Sequence, residues 1–271
     1  MPVPAAAHGG DTTVPGVSRQ VLGLFHDVAD RIGQLLAAAA DWGPSGDRDG
    51  QYAIDLVTDG AALTILHDAG YAVLSEESGH TAPPGGGRAG VVVIDPLDGS
   101  TNASRGVPWF ATALCLVDDD GPAVALVANQ ASGERFAAVR GQGAWRGRGR
   151  AGGPLAARLR PSGCDRLATA IVGISGAPLG GGWAQFRAFG ASALDLCLVA
   201  AGTLDGFVDM SPDAHGVWDY LSASLICAES GIPVVDAAGR DLVVLDHTAR
   251  RTPVVAATPE LLEALLAIRR G

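Results

Sequence analysis

Residues 91–102, VVVIDPLDGSTN, constrain the fold of this 271-residue chain more than any other segment. Four consecutive β-branched residues predict a buried strand, and α/β proteins tend to place their sites at the carboxyl ends of such strands. Asp95 stands at that end, Pro96 interrupts the strand, and Asp98 follows in a tight turn. We therefore expect two carboxylates to lie close together beside a buried sheet.

Asp95 and Asp98 would repel each other, and each would raise the other's pKa, unless a cation lay between them. Hard divalent cations such as Mg²⁺ prefer oxygen ligands of this kind. The backbone N–H groups of Gly99 and Ser100, at the start of a predicted short helix, suit a phosphate oxygen. An ordinary Asp-Pro and Asp-Gly turn with an aspartate cap explains the same residues, so this segment alone leaves both interpretations open.

Four further acidic residues, at three places in the chain, could join this turn. Glu76 and Glu77 directly follow a short predicted strand, where they could also be a solvated strand end. Asp219 opens a predicted helix and would serve equally well as its N-cap. Asp55 carries no signal when it is considered alone.

The chain divides into segments of different pattern. Apolar residues at three- and four-residue spacing predict helices over 17–40 and 59–69. Short apolar segments separated by turns predict an antiparallel meander over 112–139. A glycine- and arginine-rich loop is predicted over 141–153, after the meander.

The second half alternates strands with helices. The predicted elements are strands over 167–173, 206–210, 232–236 and 252–257 and helices over 191–201, 219–230 and 259–269. We expect a flexible N-terminal tail over 1–16, an α+β domain over 17–150 and an α/β domain over 151–271. The first domain would carry most of the acidic cluster, and the second would contribute Asp219 and the substrate contacts.

Composition and net charge indicate which kinds of molecule the chain is expected to bind. Hydrophobic residues make up 48% of the chain and charged residues 18%, which is typical of a globular protein. A formal net charge of -10 argues against attraction of the whole chain to nucleic acid or to an anionic membrane. The chain contains a short basic run, Arg140, Arg146, Arg148 and Arg150. It could contact RNA, but we favour an exposed hairpin loop.

Cysteine usage and the N-terminus indicate the compartment. The four cysteines form no CxxC pair, and three of them (Cys115, Cys197 and Cys227) lie in apolar runs. They are expected to be core cysteines in a reducing environment. We expect no signal peptide, and no apolar run approaches the ~20 residues of a membrane helix. The expected location is the cytoplasm.

Taken together, these pieces resemble the inositol monophosphatase family of lithium-sensitive, metal-dependent phosphatases. The family motif Asp-Pro-hydrophobic-Asp-Gly-Thr/Ser-Thr-Asn matches residues 95–102. The upstream Gly-Glu-Glu-Ser appears as SEES at 75–78, and the later Trp-Asp appears as Trp218-Asp219. Residues 187–209 also look like the family's Gly-Ser/Thr-Ala-Ala segment. The order is right, and the resemblance covers nearly the whole chain from Val17 onward.

The resemblance implies a role for each matching position. Metal ligands would be Glu76, Asp95, Asp98, Asp219, Asp55 and the backbone carbonyl of Leu97. Gly99 and Ser100 would bind the phosphate, and the catalytic residues Glu76, Ser100 and Asp55 would orient and deprotonate the attacking water. Substrate contacts would come from Asp209 and Ser192.

Some positions depart from the family pattern. In the family's Thr-x-x-Asp segment Tyr52 replaces the threonine, and Asp59 competes with Asp55 for the role of third-site acid. Asp209 is shorter than the usual Glu, and the loop after it looks about three residues longer than in the family. Asp213 and His215 lie in this loop. They could contact the substrate, or they could belong to an ordinary solvated loop, and both interpretations stay open.

By resemblance we expect a layered α-β-α-β-α sandwich of the α+β or α/β class. The expected activity is hydrolysis of a small cyclitol or sugar monophosphate by metal-activated water, with two or three Mg²⁺ ions, in a lithium-sensitive homodimer. Alternatives in the same class act on histidinol phosphate, fructose 1,6-bisphosphate or a nucleotide 3'-phosphate. An alternative of another class is a non-catalytic binding or regulatory protein on the same fold.

Overall fold

A computed structural model describes residues 15–46, 50–149 and 157–270. Within these residues the chain forms two β-sheets and six α-helices. None of the helices in this part of the chain is both long enough and apolar enough to cross a membrane.

The first sheet has eight strands in the order β2-β1-β3-β4-β5-β6-β7-β8. Its strands are β1 (Ala72–Ser75), β2 (Gly79–Thr81), β3 (Val91–Asp98), β4 (Ala111–Asp118), β5 (Gly121–Asn129), β6 (Glu134–Val139), β7 (Gly143–Arg148) and β8 (Ala157–Arg158). Strands β1 and β3 are parallel, whereas the run from β3 to β8 is antiparallel. The predicted buried strand and the predicted meander are both confirmed.

Two helices, α1 (Pro15–Ala38) and α2 (Ala53–Asp68), cover one face of this sheet. Helix α1 buries Val21, Phe25, Val28 and Ile32, which share one face at helical spacing and join the core of this layer. The first predicted helix is therefore confirmed, although it begins earlier and ends at Ala38.

Helix α2 was predicted to begin at residue 59, and this start is wrong, because the helix begins at Ala53. The carboxylate of Asp55 accepts the Tyr52 N–H at 2.8 Å and caps the first turn. An acid at the third helical position satisfies an otherwise unpaired backbone donor there.

The second sheet has five strands in the order β10-β9-β11-β13-β12. Its strands are β9 (Ile171–Ser175), β10 (Gln185–Arg187), β11 (Gly206–Asp209), β12 (Val235–Asp236) and β13 (Pro253–Ala256). Strands β10, β9 and β11 are parallel, and β13 runs antiparallel to β11 and β12. The sheet is therefore mixed.

Helices α4 (Ser192–Ala200) and α5 (Val217–Glu229) fill the space between the two sheets, and α6 (Pro259–Arg270) covers the far face of the second. The central core joins side chains of both sheets to these two helices, for example Cys115 of β4 and Phe207 of β11. The layers are helices, sheet, helices, sheet and helix. The predicted α-β-α-β-α sandwich is thus confirmed.

Three local predictions are corrected. Residues 143–148 form β7 rather than a loop, because they pair along all of β6, whereas 150–153 lie outside the described residues. A single 3₁₀ turn, Leu167–Thr169, occupies the start of the predicted strand over 167–173. The strand predicted over 232–236 is limited to β12.

The division near residue 150 stays a prediction, and the predicted tail lies outside the described residues except for its last two, which open α1. Among the cysteines, Cys115, Cys197 and Cys227 are buried as predicted, and Cys164 is half-buried.

Candidate metal and phosphate site

Three carboxylates converge where the first sheet meets α5. Glu76, Asp95 and Asp219 each offer an oxygen, and these oxygens lie within 4.8 Å of one another. Ser75 of β1 is in register with Ile94 of β3, and the Glu76 N–H donates to the Ile94 carbonyl at 3.3 Å. The next residues along the two parallel strands, Glu76 just after β1 and Asp95 within β3, therefore lie side by side.

The third carboxylate arrives from the central helix layer. Asp219 stands in the first turn of α5, where its Oδ2 accepts the Gly216 N–H at 2.7 Å. The predicted role of Asp219 as the N-cap is wrong, because Gly216 is the N-cap and Asp219 is the third helical residue, from which its carboxylate caps the helix. A capping carboxylate keeps its other oxygen available, so the cap and a metal ligand are compatible in one residue.

Asp98 lies next to this group and is held differently. Its two oxygens accept the backbone N–H groups of Ser192 at 3.2 Å and Ala193 at 2.8 Å, at the start of α4. The positive end of that helix therefore orients a buried carboxylate of the first sheet. This contact joins the first sheet to the central helix layer.

The acidic groups are electrostatically strained without a cation. Burial, followed by the charges of Glu76, Asp98 and Asp219, raises the pKa of Asp95 well above its ordinary value. Burial and the charge of Asp219 likewise raise the pKa of Asp98. Burial raises the pKa of Asp219, even though nearby His215 acts in the opposite direction.

A divalent cation would relieve this repulsion. The donor set consists of carboxylate oxygens, which suit a hard ion such as Mg²⁺. The residues present therefore fit a metal site. Leu97, whose carbonyl is a predicted ligand, is buried between the two aspartates, and its N–H donates to Asp95 Oδ1 at 2.9 Å.

The turn at Gly99 is tightly enclosed. Gly99 has φ +83°, and a Cβ atom there would lie 3.1 Å from each of the Ala191 Cβ, the Gly190 carbonyl and the Trp109 carbonyl. The Asn102 amide donates to the Trp109 carbonyl at 2.8 Å and to the Phe189 carbonyl at 2.7 Å. Glycine and asparagine in this motif therefore permit and secure the turn that opens the short helix α3 (Ser100–Ser104).

Beside the carboxylates lies a cleft of about 350 Å³. It is lined by Gly50, Gln51, Asp55, Glu76, Glu77, Ser100, Trp218 and Arg250. Asp55 is thus brought to the cleft together with Glu76 and Ser100. Asp59 is buried elsewhere and accepts the Ser75 hydroxyl at 2.5 Å, so it supports the end of β1. Of the two competing acids, the geometry favours Asp55.

Sequence reasoning missed Arg250, which is the one cationic side chain among the described residues that line the cleft. Its guanidinium lies 5.1 Å from the centre of the Trp218 ring and donates to the carbonyls of His247 and Ala249. The ring of His247 also lies 4.8 Å from that of Trp218. The Trp-Asp motif identified Trp218, but no local sequence pattern marks the later segment, with His247 and Arg250, that packs on its ring.

The predicted substrate residues form a separate buried group. Ser192 Oγ lies 2.6 Å from His215 Nε2, and His215 Nδ1 lies 2.8 Å from Asp209 Oδ2. Neither Asp209 nor Ser192 is among the described residues that line the cleft. Their contact with substrate stays a prediction. Asp213 instead pairs with Arg240 at 2.6 Å on an exposed part of the same loop.

The fold and this group of carboxylates define a class of metal-dependent phosphatases. The model of the inositol monophosphatase family matches residues 28–271, and the chain belongs to this family.

Similar proteins cover nearly the same length. Nus factor SuhB of Escherichia coli is 31% identical over 266 residues, which is 92% of this chain and 96% of that protein. The fructose-1,6-bisphosphatase/inositol-1-monophosphatase of Methanocaldococcus jannaschii is 30% identical over 225 residues, 82% of this chain and 85% of that protein. The structure of Mycobacterium tuberculosis SuhB is 27% identical, with a TM-score of 0.71, and covers 95% of this chain and 97% of that one. These findings support a phosphatase of this family.

Proposed function

We propose that this protein is a Mg²⁺-dependent phosphomonoesterase that hydrolyses a small cyclitol or sugar monophosphate by attack of a metal-activated water. The observation that carries the proposal is the convergence of Glu76, Asp95 and Asp219 within 4.8 Å, beside a cleft that also contains Ser100. Family membership supports it, because every acidic position of the resemblance is present.

Each residue has a role in this proposal. Glu76, Asp95, Asp98, Asp219 and the Leu97 carbonyl would hold the ions, and Asp55 would add a ligand from the opposite side of the cleft. Two or three bound Mg²⁺ ions would supply charge neutralisation for the phosphate and lower the pKa of a water. The acidic site then accepts an anionic ester.

The chain's own groups act on the ester and the water. The backbone N–H groups of Gly99 and Ser100 bind a phosphate oxygen at the start of α3. Glu76 and the Ser100 hydroxyl orient the water in line with the scissile bond, and Glu76 takes its proton. Asp55 holds the same water from the first turn of α2.

The family and one relative support this substrate class. The M. jannaschii protein is named for two activities, on fructose 1,6-bisphosphate and on inositol 1-monophosphate. We place a cyclitol or sugar monophosphate first, and fructose 1,6-bisphosphate, histidinol phosphate and a nucleotide 3'-phosphate as alternatives.

The test is phosphate release from a panel of these esters, with Mg²⁺ or with EDTA. The wild type is compared with Asp98→Asn and with Asp165→Asn, a matched change at an exposed aspartate away from the cleft. The proposal predicts Mg²⁺-dependent release that Asp98→Asn abolishes and Asp165→Asn retains. Release that persists in EDTA would contradict it.

A non-catalytic binding or regulatory role is the second candidate. It is favoured by the name of the E. coli relative, Nus factor, which states no hydrolase activity. Thermal melting separates the two, since a ligand bound only by the native state raises the midpoint. A midpoint raised by millimolar Mg²⁺, together with phosphate release, supports the enzyme. A folded protein that binds Mg²⁺ but releases no phosphate from any ester supports the second candidate.

The resemblance adds three secondary proposals, namely a homodimer, lithium inhibition and a cytoplasmic location. Light scattering on the purified chain tests the dimer. Titration of LiCl against Mg²⁺-dependent phosphate release tests the inhibition.

A further inference from the structure

Three buried side chains form a continuous hydrogen-bonded chain behind the carboxylates. Asp209 ends β11 and is fully buried, and Ser192 opens α4 with 8% of its surface exposed. His215 lies between them with 7% exposed and contacts both, at 2.8 Å to Asp209 and at 2.6 Å to Ser192. Buried polar groups that are fully paired in this way rigidify the elements that they join.

The Asp209 carboxylate orients the His215 ring. Asp209 Oδ1 accepts the Ser211 N–H at 2.9 Å, and Oδ2 faces His215 Nδ1, so both oxygens have partners inside the protein. A carboxylate acceptor requires a proton on Nδ1, and Nε2 contacts the Ser192 hydroxyl whether the ring is neutral or protonated. Asp209 thereby fixes the orientation of His215, and His215 sets the rotamer of Ser192.

The same residues reach Asp98. The Ser192 backbone N–H and the next one along the helix are the groups that hold the two Asp98 oxygens. Any movement of the first turn of α4 therefore moves Asp98. The Ser192 side chain is the point at which that turn is tied to His215.

A second path leads to Asp219. The backbone of His215 pairs with Arg251 through N–H to carbonyl bonds of 3.2 and 2.9 Å. The adjacent Gly216 N–H donates to Asp219 Oδ2. His215 thus stands at the junction of the segments that present Asp98, Asp219 and the neighbour of Arg250.

We propose that His215 is a positioning residue for the metal site, and that Asp209 and Ser192 work with it instead of contacting substrate. This rests on the proposed function, in which Asp98 and Asp219 hold the ions. Outer partners of this kind typically change metal affinity by about 10- to 100-fold.

The experiment is a Mg²⁺ titration followed by thermal melting, starting from protein in EDTA. The variants are Ser192→Ala, His215→Ala and His215→Gln. The matched control is Ser222→Ala, a buried helical serine whose hydroxyl has no hydrogen-bond partner among the described residues. Steady-state kinetics on the best ester of the panel accompany each titration.

We expect Ser192→Ala and His215→Ala to raise the Mg²⁺ concentration for half-maximal stabilisation by about tenfold. His215→Gln, whose amide extends toward the Ser192 hydroxyl, should recover part of that affinity, and Ser222→Ala should match the wild type. At saturating Mg²⁺ the KM of the variants should stay within about threefold of the wild type, because the pairs act on the metal ligands.

Three results would overturn the inference. An unchanged Mg²⁺ midpoint with a KM raised tenfold or more would return Asp209 and Ser192 to substrate binding. A lower melting point in EDTA with an unchanged Mg²⁺ midpoint would mean that the hydrogen bonds of His215 only stabilise the fold. Both of these results would leave the proposed function standing. A wild type that Mg²⁺ does not stabilise would refute both the proposed function and this inference.

Discussion

Asp95→Asn should stabilise the metal-free protein. Asparagine keeps the shape of the side chain and its acceptor for the Leu97 N–H, but it removes one charge from the group with Glu76 and Asp219. Replacement of an acidic ligand in a metal site normally lowers the stability of the metal-bound protein. The opposite sign is expected here because the carboxylates repel one another in the absence of a cation.

The magnitude follows from the separation. Two unit charges 4.8 Å apart interact by about 3 kcal/mol at an effective dielectric constant of ~20. Asp95 has two such neighbours, and its raised pKa lowers the mean charge that the substitution removes. We therefore expect the free energy of unfolding to rise by about 2 kcal/mol, or roughly 4 °C in the melting point.

The effect should depend on pH. A carboxyl whose pKa is raised on folding holds its proton in the folded state at pH values where the unfolded chain has lost it. The stability of the metal-free wild type therefore falls as pH rises above about 4. The gain from Asp95→Asn should be largest near pH 8 and should shrink toward pH 4.

Asp236→Asn provides the control of opposite sign. Burial alone would raise the pKa of Asp236, but hydrogen bonds from Arg240 and Thr252 lower it to about 2. This carboxylate contributes stability above about pH 4 that is lost as pH falls toward 2, so its neutralisation should cost about 2 kcal/mol at pH 7. Calorimetric melting in EDTA at several pH values measures both variants. A lower melting point for Asp95→Asn at pH 8, with a native circular dichroism spectrum, would refute the reasoning.

Three further substitutions test individual positions. Gly99→Ala should lower the free energy of unfolding, measured in urea, by about 2 kcal/mol and should abolish phosphate release. The control Gly133→Ala, at a glycine with similar φ but no close neighbours, should retain activity. Equal losses in the two variants would show that the close contacts at Gly99 are not the cause. Arg250 is the one cationic side chain among the described residues that line the cleft, so we expect it to contact the anionic substrate. Arg250→Gln should then raise KM about tenfold with a smaller change in kcat, and an unchanged KM would exclude that contact. Asp55→Asn should reduce kcat at least ~10-fold, whereas Asp59→Asn should mainly lower the melting point. If Asp59→Asn reduced kcat and Asp55→Asn only lowered the melting point, Asp59 would be the third-site acid instead of Asp55.

The layered fold and the set of main carboxylates could be predicted through the family resemblance, which rests on short local motifs. The run of β-branched residues before Asp95 marks a buried strand, and contiguous motifs mark Glu76, Asp98 and Asp219. The structure brings Glu76, Asp95 and Asp219 together because two neighbouring parallel strands and one helix start meet at this edge. Periodicity also located α1 and α5 to within a few residues.

The remaining features depend on tertiary contacts. The start of α2 was misplaced because the cap by Asp55 is set by one side chain rather than by periodicity. Strand β7 has a glycine- and arginine-rich sequence, and it is extended because β6 pairs with it. Arg250 and the His215 chain are formed by segments distant in sequence, so neither spacing nor composition could indicate them.

The most direct test of the central claim is anomalous diffraction from a crystal grown with Mn²⁺ in place of Mg²⁺. The account predicts an anomalous peak between the carboxylates of Glu76, Asp95 and Asp219, at the ~2.0–2.2 Å metal–oxygen distances typical of small divalent ions. It also predicts that added inorganic phosphate binds against Ser100. A fully occupied Mn²⁺ elsewhere, with these three carboxylates still free of metal, would contradict the account.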